Sequence, residues 1–199
     1  MSKNQMDTSN ARGRDTFQKW KKVIMLLVRI SGCFSLKKRK KWLVRCRNTG
    51  GNLGLLLRYV LLRSIARSCG DNVSIFEGVY LNNPENMDFG DNISIHPMCY
   101  LEGKGGIVIG SDVSIAHGTS ILSTTHVMDD LIVPIKDQGI IEKQTIIHDN
   151  VWIGCKVTVL CGTKIGSGSV VGANSVVTKN IQANCVYAGA PAKCIRSRV

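Results

Sequence analysis

The sequence predicts an all-β protein, a parallel β-helix of about five to six 18-residue coils, behind a basic helical N-terminal segment. Three observations carry this. An aliphatic residue recurs every six positions after Cys69, short runs rich in Gly, Asn and Asp recur between the sides, and positive charge gathers ahead of the repeat. The repeat leaders are Ile75 and Leu81, then Phe89, Ile95 and Leu101, then Ile109, Ile115 and Ile121. They resume at Ile147, Ile153, Val159, Ile165, Val171 and Val177. Such self-similarity at a short fixed period marks a solenoid.

Each six-residue side is a short flat strand with its leader pointing inward, and three sides close one coil. Successive coils pair as parallel strands about 4.8 Å apart. The position four after a leader is β-branched or small, as at Val73, Val79, Ile93, Cys99, Val113, Thr119, Val151, Val157, Thr163, Ser169 and Ser175. Corners need residues that accept left-handed backbone angles. The runs "GDN" at 70–72 and 90–92, "GSD" at 110–112, "HDN" at 148–150 and "GSG" at 166–168 supply them.

The phase breaks in informative places. Two extra residues fall in each of the stretches 81–89 and 101–109, and about twenty fall between Ile121 and Ile147. The last group must loop out of the coil, and long excursions from a rigid scaffold often carry function. The organisation read from this is an N-terminal segment at 1–68, a β-helix at 69–186 with a protruding loop at 127–146, and a tail at 187–199.

Of the net charge of +12, residues 1–70 hold 17 Lys/Arg against two acids, whereas the remainder holds 9 against 12. The two parts are therefore expected to meet different partners, the first an anionic surface. Residues 1–15 read as a polar, disordered leader. The stretch "FQKWKKVIMLLVRISGCFSLKKRKKWLVRCR" has no apolar run near the roughly 20 residues of a membrane span. Its clustered cations with Trp20 and Trp42 suit a helix lying on an anionic leaflet through residues 16–48. Within it, the run "LVRISGC" ending at Cys33 superficially matches a lipoprotein signal, against which Arg29 speaks. A solvated charge run is the bland alternative, and without a nucleic-acid-binding motif no nucleic-acid partner is expected. Residues 53–67 read as a further helix, with Arg58, Arg63 and Arg67 on its polar side, packed on the domain that follows. The eight cysteines are scattered without a C-x-x-C pair and read as thiols of a reducing compartment.

The repeat, the run "VWIGCKVTVLCGTKIGSGSVVGANSVVTKN" (151–180) and the closing "AGAPAKCIR" (188–196) resemble the maltose/galactoside group of hexapeptide-repeat O-acetyltransferases. The segment "FGDNISIHPMCYLEGKGGIVIGSDVSI" further resembles the polysaccharide-biosynthesis branch. The resemblance spans roughly residues 60–199. It implies a left-handed coil, a homotrimer, acetyl-CoA as donor, a sugar or glycan hydroxyl as acceptor, and no metal. It also implies His126, in "ILSTTH" just before the loop, as general base. A neutral imidazole suits removal of a hydroxyl proton, with a second-nitrogen partner among Asp129, Asp130 or a backbone carbonyl. A corner N–H would serve the developing oxyanion.

By the same resemblance, Cys155, Ala173, Thr178, Lys179 and Arg196 match coenzyme A contacts, and Lys193 and Trp152 lie close by. Cys155 stands where a serine is expected. The cations suit the phosphates of coenzyme A. His96 and Tyr100 are candidates for the acceptor end, with Asp129; the stretch "IHPMCYLEGKGG" departs there from the small-sugar members. His117 and His148 read as corner residues. Acetyl-CoA supply places the active domain in the cytoplasm, peripheral at the inner face of the membrane if the basic segment binds it. The expected activity is O-acetylation of a surface-polysaccharide or lipid-linked precursor. A small acceptor is the alternative, as is a non-catalytic or γ-carbonic-anhydrase-like coil. The last would need a close histidine pair that the nine-residue spacing of His117 and His126 does not supply.

Overall fold

A computed structural model describes residues 13–198 of the chain. Three helices, α1 (Gly13–Gly32), α2 (Leu36–Arg45) and α3 (Gly51–Ile65), precede a parallel β-solenoid. Most of the leader expected to be disordered lies outside the described residues, but residues 13–15 of it form the first turn of α1.

The solenoid has three faces. The first aligns Cys69, Phe89, Ile109, Ile147 and Ile165. The second aligns Ile75, Ile95, Ile115, Ile153, Val171 and Tyr187. The third aligns Leu81, Leu101, Ile121, Val159 and Val177. Every leader read from the sequence thus occupies its column, and all but Leu81, which is half-buried, are buried. The short extra stretches make the early coils 20 residues long, as in the pairing of Ser74 with Ser94 and Ser94 with Ser114. Later coils are 18 residues, as in Trp152 with Val170.

The side four places on is buried throughout, and its hydroxyls are satisfied, as buried polar groups must be. Thr119 Oγ1 donates to the Gly154 carbonyl at 3.0 Å and Ser169 Oγ to that of Gln182 at 2.7 Å. The corners turn as expected: Asn72, Asn92, Asp112 and Asn150 hold φ of 55–58°, and Gly168 holds 69°. At Gly70, two residues before the turn residue, a Cβ would stand 2.5 Å from the Gly90 carbonyl oxygen, so stacking of the coils demands glycine.

α3 closes the N-terminal end of the prism with Tyr59 and Leu62 in the common core. One expectation fails here. Arg58 is not on a polar side; it is only 1% exposed. The helix presents this face to the turn after α2, and a guanidinium reaches carbonyls that an apolar side chain would leave unpaired. Its Nε donates to Ile75 O at 2.7 Å and its Nη1 to Thr49 O at 2.6 Å and Cys46 O at 2.9 Å.

The separation of charge is also only partial. Arg14 pairs with Asp112, Lys21 and Arg63 with Asp71, Lys40 with Glu85, and Arg67 with Asp88. The coil's own acids therefore neutralise part of the basic segment. Because Lys21 meets the first coil and Arg14 the third, α1 runs along the solenoid. Seven helical residues span about 10 Å, matching two coil spacings.

Candidate active site

The excursion between Ile121 and Ile147 is a two-stranded antiparallel arm. Thr124 registers with Glu142, Thr125 with Ile141 and His126 with Ile140. His126 is exposed at the end of its first strand. The root is gripped by Glu102 from the preceding coil: its Oε2 accepts from Thr124 Oγ1 at 3.0 Å and from Ser123 Oγ at 3.2 Å. Glu102 was not among the residues singled out from the sequence, because only folding brings it to Thr124, 22 positions away.

Beyond His126 the arm holds itself together. Gln138 Nε2 donates to the carbonyls of Asp130 and Val133 at 2.8 and 2.7 Å. Asp130 Oδ1 accepts from the backbone N–H groups of Ile132 and Val133, which holds its carboxyl below the usual carboxylate range. That carboxylate is committed to the arm's own turn. Asp129 is exposed, and no hydrogen bond joins it to His126 among the described residues. The arm ends in Leu131 and Ile132, 97% and 94% exposed.

The donor-side candidates fall into three places. Thr178 and Lys179 lie just past Val177, at the corner from which, two coils earlier, the arm leaves just past Ile121. Cys155 and Ala173 lie at the opposite edge of the third face, one above the other, with Asn174 N donating to Cys155 O at 2.9 Å. His117 continues this second column, its carbonyl accepting from Lys156 N at 2.9 Å. Trp152 points outward on the second face, in a column through Val170 and Val186 to Arg196. Arg196 and Lys193 sit on the strand Lys193–Ser197, which adds antiparallel to the last coil. Within one chain, then, His126 and Lys179 share one edge, while Cys155 and Ala173 share another.

At the N-terminal end of the third face, Tyr100 accepts from Asn82 Nδ2 at 2.9 Å and neighbours Tyr80. Arg47 lies over the Tyr80 ring, 3.8 Å from its centre. His96 is stacked on Phe76, centroids 4.9 Å apart, at the same corner as Cys155 but two coils away. His148 is exposed at a different corner, after Ile147. Burial raises the Cys99 thiol to about 11, against hydrogen bonds from the Thr119 and Gly118 backbone. All eight cysteines are free, and among the described residues no three His, Cys, Asp or Glu side chains gather as a metal site.

The fold and repeat define a hexapeptide-repeat, left-handed parallel β-helix protein. Residues 144–179 match the family described as bacterial transferase hexapeptide (six repeats). Among solved structures, a hexapeptide-repeat containing acetyltransferase from Vibrio cholerae O1 biovar eltor, complexed with acetyl coenzyme A, superposes with a TM-score of 0.72. It is 25% identical, over 81% of this chain and 85% of that one. A galactoside acetyltransferase in complex with coenzyme A gives 0.72 at 28% identity, over 83% of each chain. A maltose O-acetyltransferase from Clostridium difficile 630 gives 0.73 at 28% identity, over 86% of this chain and 88% of that one. No curated protein sequence matches the chain significantly. The chain is thus similar in fold and repeat to hexapeptide-repeat acetyltransferases, and its likeness to the maltose and galactoside enzymes holds in structure.

Proposed function

We propose that the chain transfers the acetyl group of acetyl-CoA to a sugar hydroxyl of a surface-polysaccharide or lipid-linked glycan precursor, with His126 as general base. The observation that carries this is the placement of His126, exposed on an arm whose root and tip are both tied down. The donor supplies an activated thioester acyl group. The His126 imidazole takes the proton of the acceptor hydroxyl as its oxygen attacks, and the imidazolium returns that proton to the leaving sulfur.

The residues present fit such a donor. Lys179, Lys193 and Arg196 are exposed at the C-terminal end and form no ion pair with a carboxylate among the described residues. They would hold phosphates, with Thr178 beside Lys179. Cys155 and Ala173 leave their corner open to a narrow chain, and Trp152 offers a flat apolar wall. Since Cys155, Ala173 and Trp152 lie off the edge that carries His126, the complete site needs a second copy, which supports a homotrimer. The exposed Leu131 and Ile132 at the arm's tip suit burial against that copy.

The basic segment would hold the enzyme at the cytoplasmic leaflet. Lys19, Lys22, Val23, Leu26, Arg29 and Ile30 are exposed. At helical spacing they share one outward arc of α1. No described helix is long and apolar enough to cross a membrane, so α1 would lie on the surface.

Two experiments test the reading. Labelled acetyl-CoA, incubated with the protein and a membrane extract containing lipid-linked glycans, should place label in glycan; label remaining wholly in the donor refutes the acceptor class. A Lys19→Gln, Lys22→Gln, Arg29→Gln variant should bind phosphatidylglycerol vesicles about 100-fold more weakly, at roughly 1 kcal/mol per surface cation. Equal binding in a vesicle flotation assay would remove the membrane role.

A further inference from the structure

A groove of about 480 Å³ runs between α1 and α3 beside the first coil, within the usual size of a small-molecule site. Trp20, Val23 and Leu27 of α1 form one wall and Leu55 and Leu56 of α3 the other, with Val73 of the first coil completing the lining. Extending the membrane reading above, on which this rests, we propose that the groove binds one fatty-acyl chain of an anionic phospholipid.

The lining selects a hydrocarbon. None of the residues that form it is charged. Two of its polar groups are already spent within the chain. The Tyr59 hydroxyl donates to Gly70 O at 3.0 Å and accepts from Arg63 Nη1 at 2.7 Å, and Asn72 Nδ2 donates to Asn92 Oδ1 at 3.1 Å. Thr16 and Asn52 are exposed at the rim. The groove therefore offers nothing to an ion and little to a sugar, since polar groups buried without partners are costly. A methylene chain instead gains about fourfold in affinity for each methylene buried.

Charge around the opening names the source of the chain. Val23 both lines the groove and belongs to the outward arc of α1 that carries Lys19, Lys22 and Arg29. Trp20 and Val23 are 60% and 50% exposed, so this wall opens outward. A chain seated between the helices leaves its phosphate on the side where those cations stand. All three form no ion pair with a carboxylate among the described residues, and they suit an anionic head group. The neighbouring stretch of sequence, "MSKNQMDTSNAR" at 1–12, is largely polar and a poor filling for an apolar groove.

The test uses the full chain with Trp42→Phe and Trp152→Phe, which leaves Trp20 as the one tryptophan of three. The probes are lysophosphatidylglycerols of increasing chain length, brominated on the chain and kept below their micelle concentration, because bromine quenches an indole that it touches. Trp20 fluorescence should fall saturably, with affinity rising about fourfold per added methylene until the groove is full. Thr16→Phe with Asn52→Phe fills the rim from both helices and should weaken binding about tenfold, the worth of roughly two methylenes, with the thermal midpoint unchanged. No quenching, or equal quenching in the filled protein, overturns the proposal. If quenching is equal and the oligomer mass falls on filling, the groove is a contact between copies instead. Flotation with phosphatidylglycerol vesicles, run in parallel, separates the two readings. Vesicle binding without quenching keeps the membrane role and overturns the groove, whereas quenching without vesicle binding upholds the groove and removes the membrane role.

Discussion

His126→Ala lowers the turnover number for acetyl transfer by about 10²–10⁴-fold, the usual contribution of a positioned general base, while leaving acetyl-CoA affinity and the thermal midpoint unchanged. The reasoning is local. His126 takes part in the arm through its backbone register with Ile140, and its ring is exposed. Truncation therefore removes a proton acceptor without opening a cavity or breaking the ladder. The donor is assigned to residues on other corners and to Thr178 and Lys179, two coils farther along His126's own corner, so its binding has no reason to change. Steady-state rates with labelled donor and titration calorimetry with acetyl-CoA check the two halves separately. A variant that retains more than about a tenth of wild-type turnover makes His126 a bystander.

Arg58→Met destabilises the protein by about 3–5 kcal/mol, in the range for breaking a buried charged network. One guanidinium bonds the carbonyls of Cys46, Arg47 and Thr49 in the turn between α2 and α3, and that of Ile75 in the first full coil. Gly54 makes this possible, since a Cβ there would collide with the Thr49 carbonyl. Methionine fills much of the volume and pairs none of the oxygens. Arg58→Lys should recover only part of the loss, because a single ammonium cannot span the fork. Urea unfolding of the three proteins gives the comparison; a loss below about 1 kcal/mol for Arg58→Met would show that the network is dispensable.

The solenoid was legible because its signal is additive: each coil repeats the same inward and corner demands, so an error at one position is outvoted by the rest. The early 20-residue coils and the excursion were legible for the same reason, as interruptions of a strong phase. What the sequence concealed depends on single, non-local contacts. Nothing periodic marks Glu102 as the anchor of Thr124, and helical spacing alone placed Arg58 among solvated cations. The charge asymmetry suggested separate partners for the two parts, yet Asp71, Glu85, Asp88 and Asp112 draw basic residues back onto the coil. For the site, residue types and their corners were readable from the repeat and the resemblance. That they occupy different edges of one prism was not, because it follows from the order in which three faces succeed one another.

The column that carries both the arm and Lys179 has a further consequence. From Ile121 the third face steps to Val159 and then to Val177, so two coil spacings, about 10 Å, separate the root of the arm from that cation. The spacing is set by how many coils are stacked and by nothing else in the chain. Inserting one more 18-residue coil between Val159 and Val177 would preserve every inward column and every corner, and move the C-terminal cations about 5 Å farther from the histidine. The prism is in effect a measuring rod graduated in whole coils, and the length of the molecule it grips is adjusted by adding or deleting a graduation.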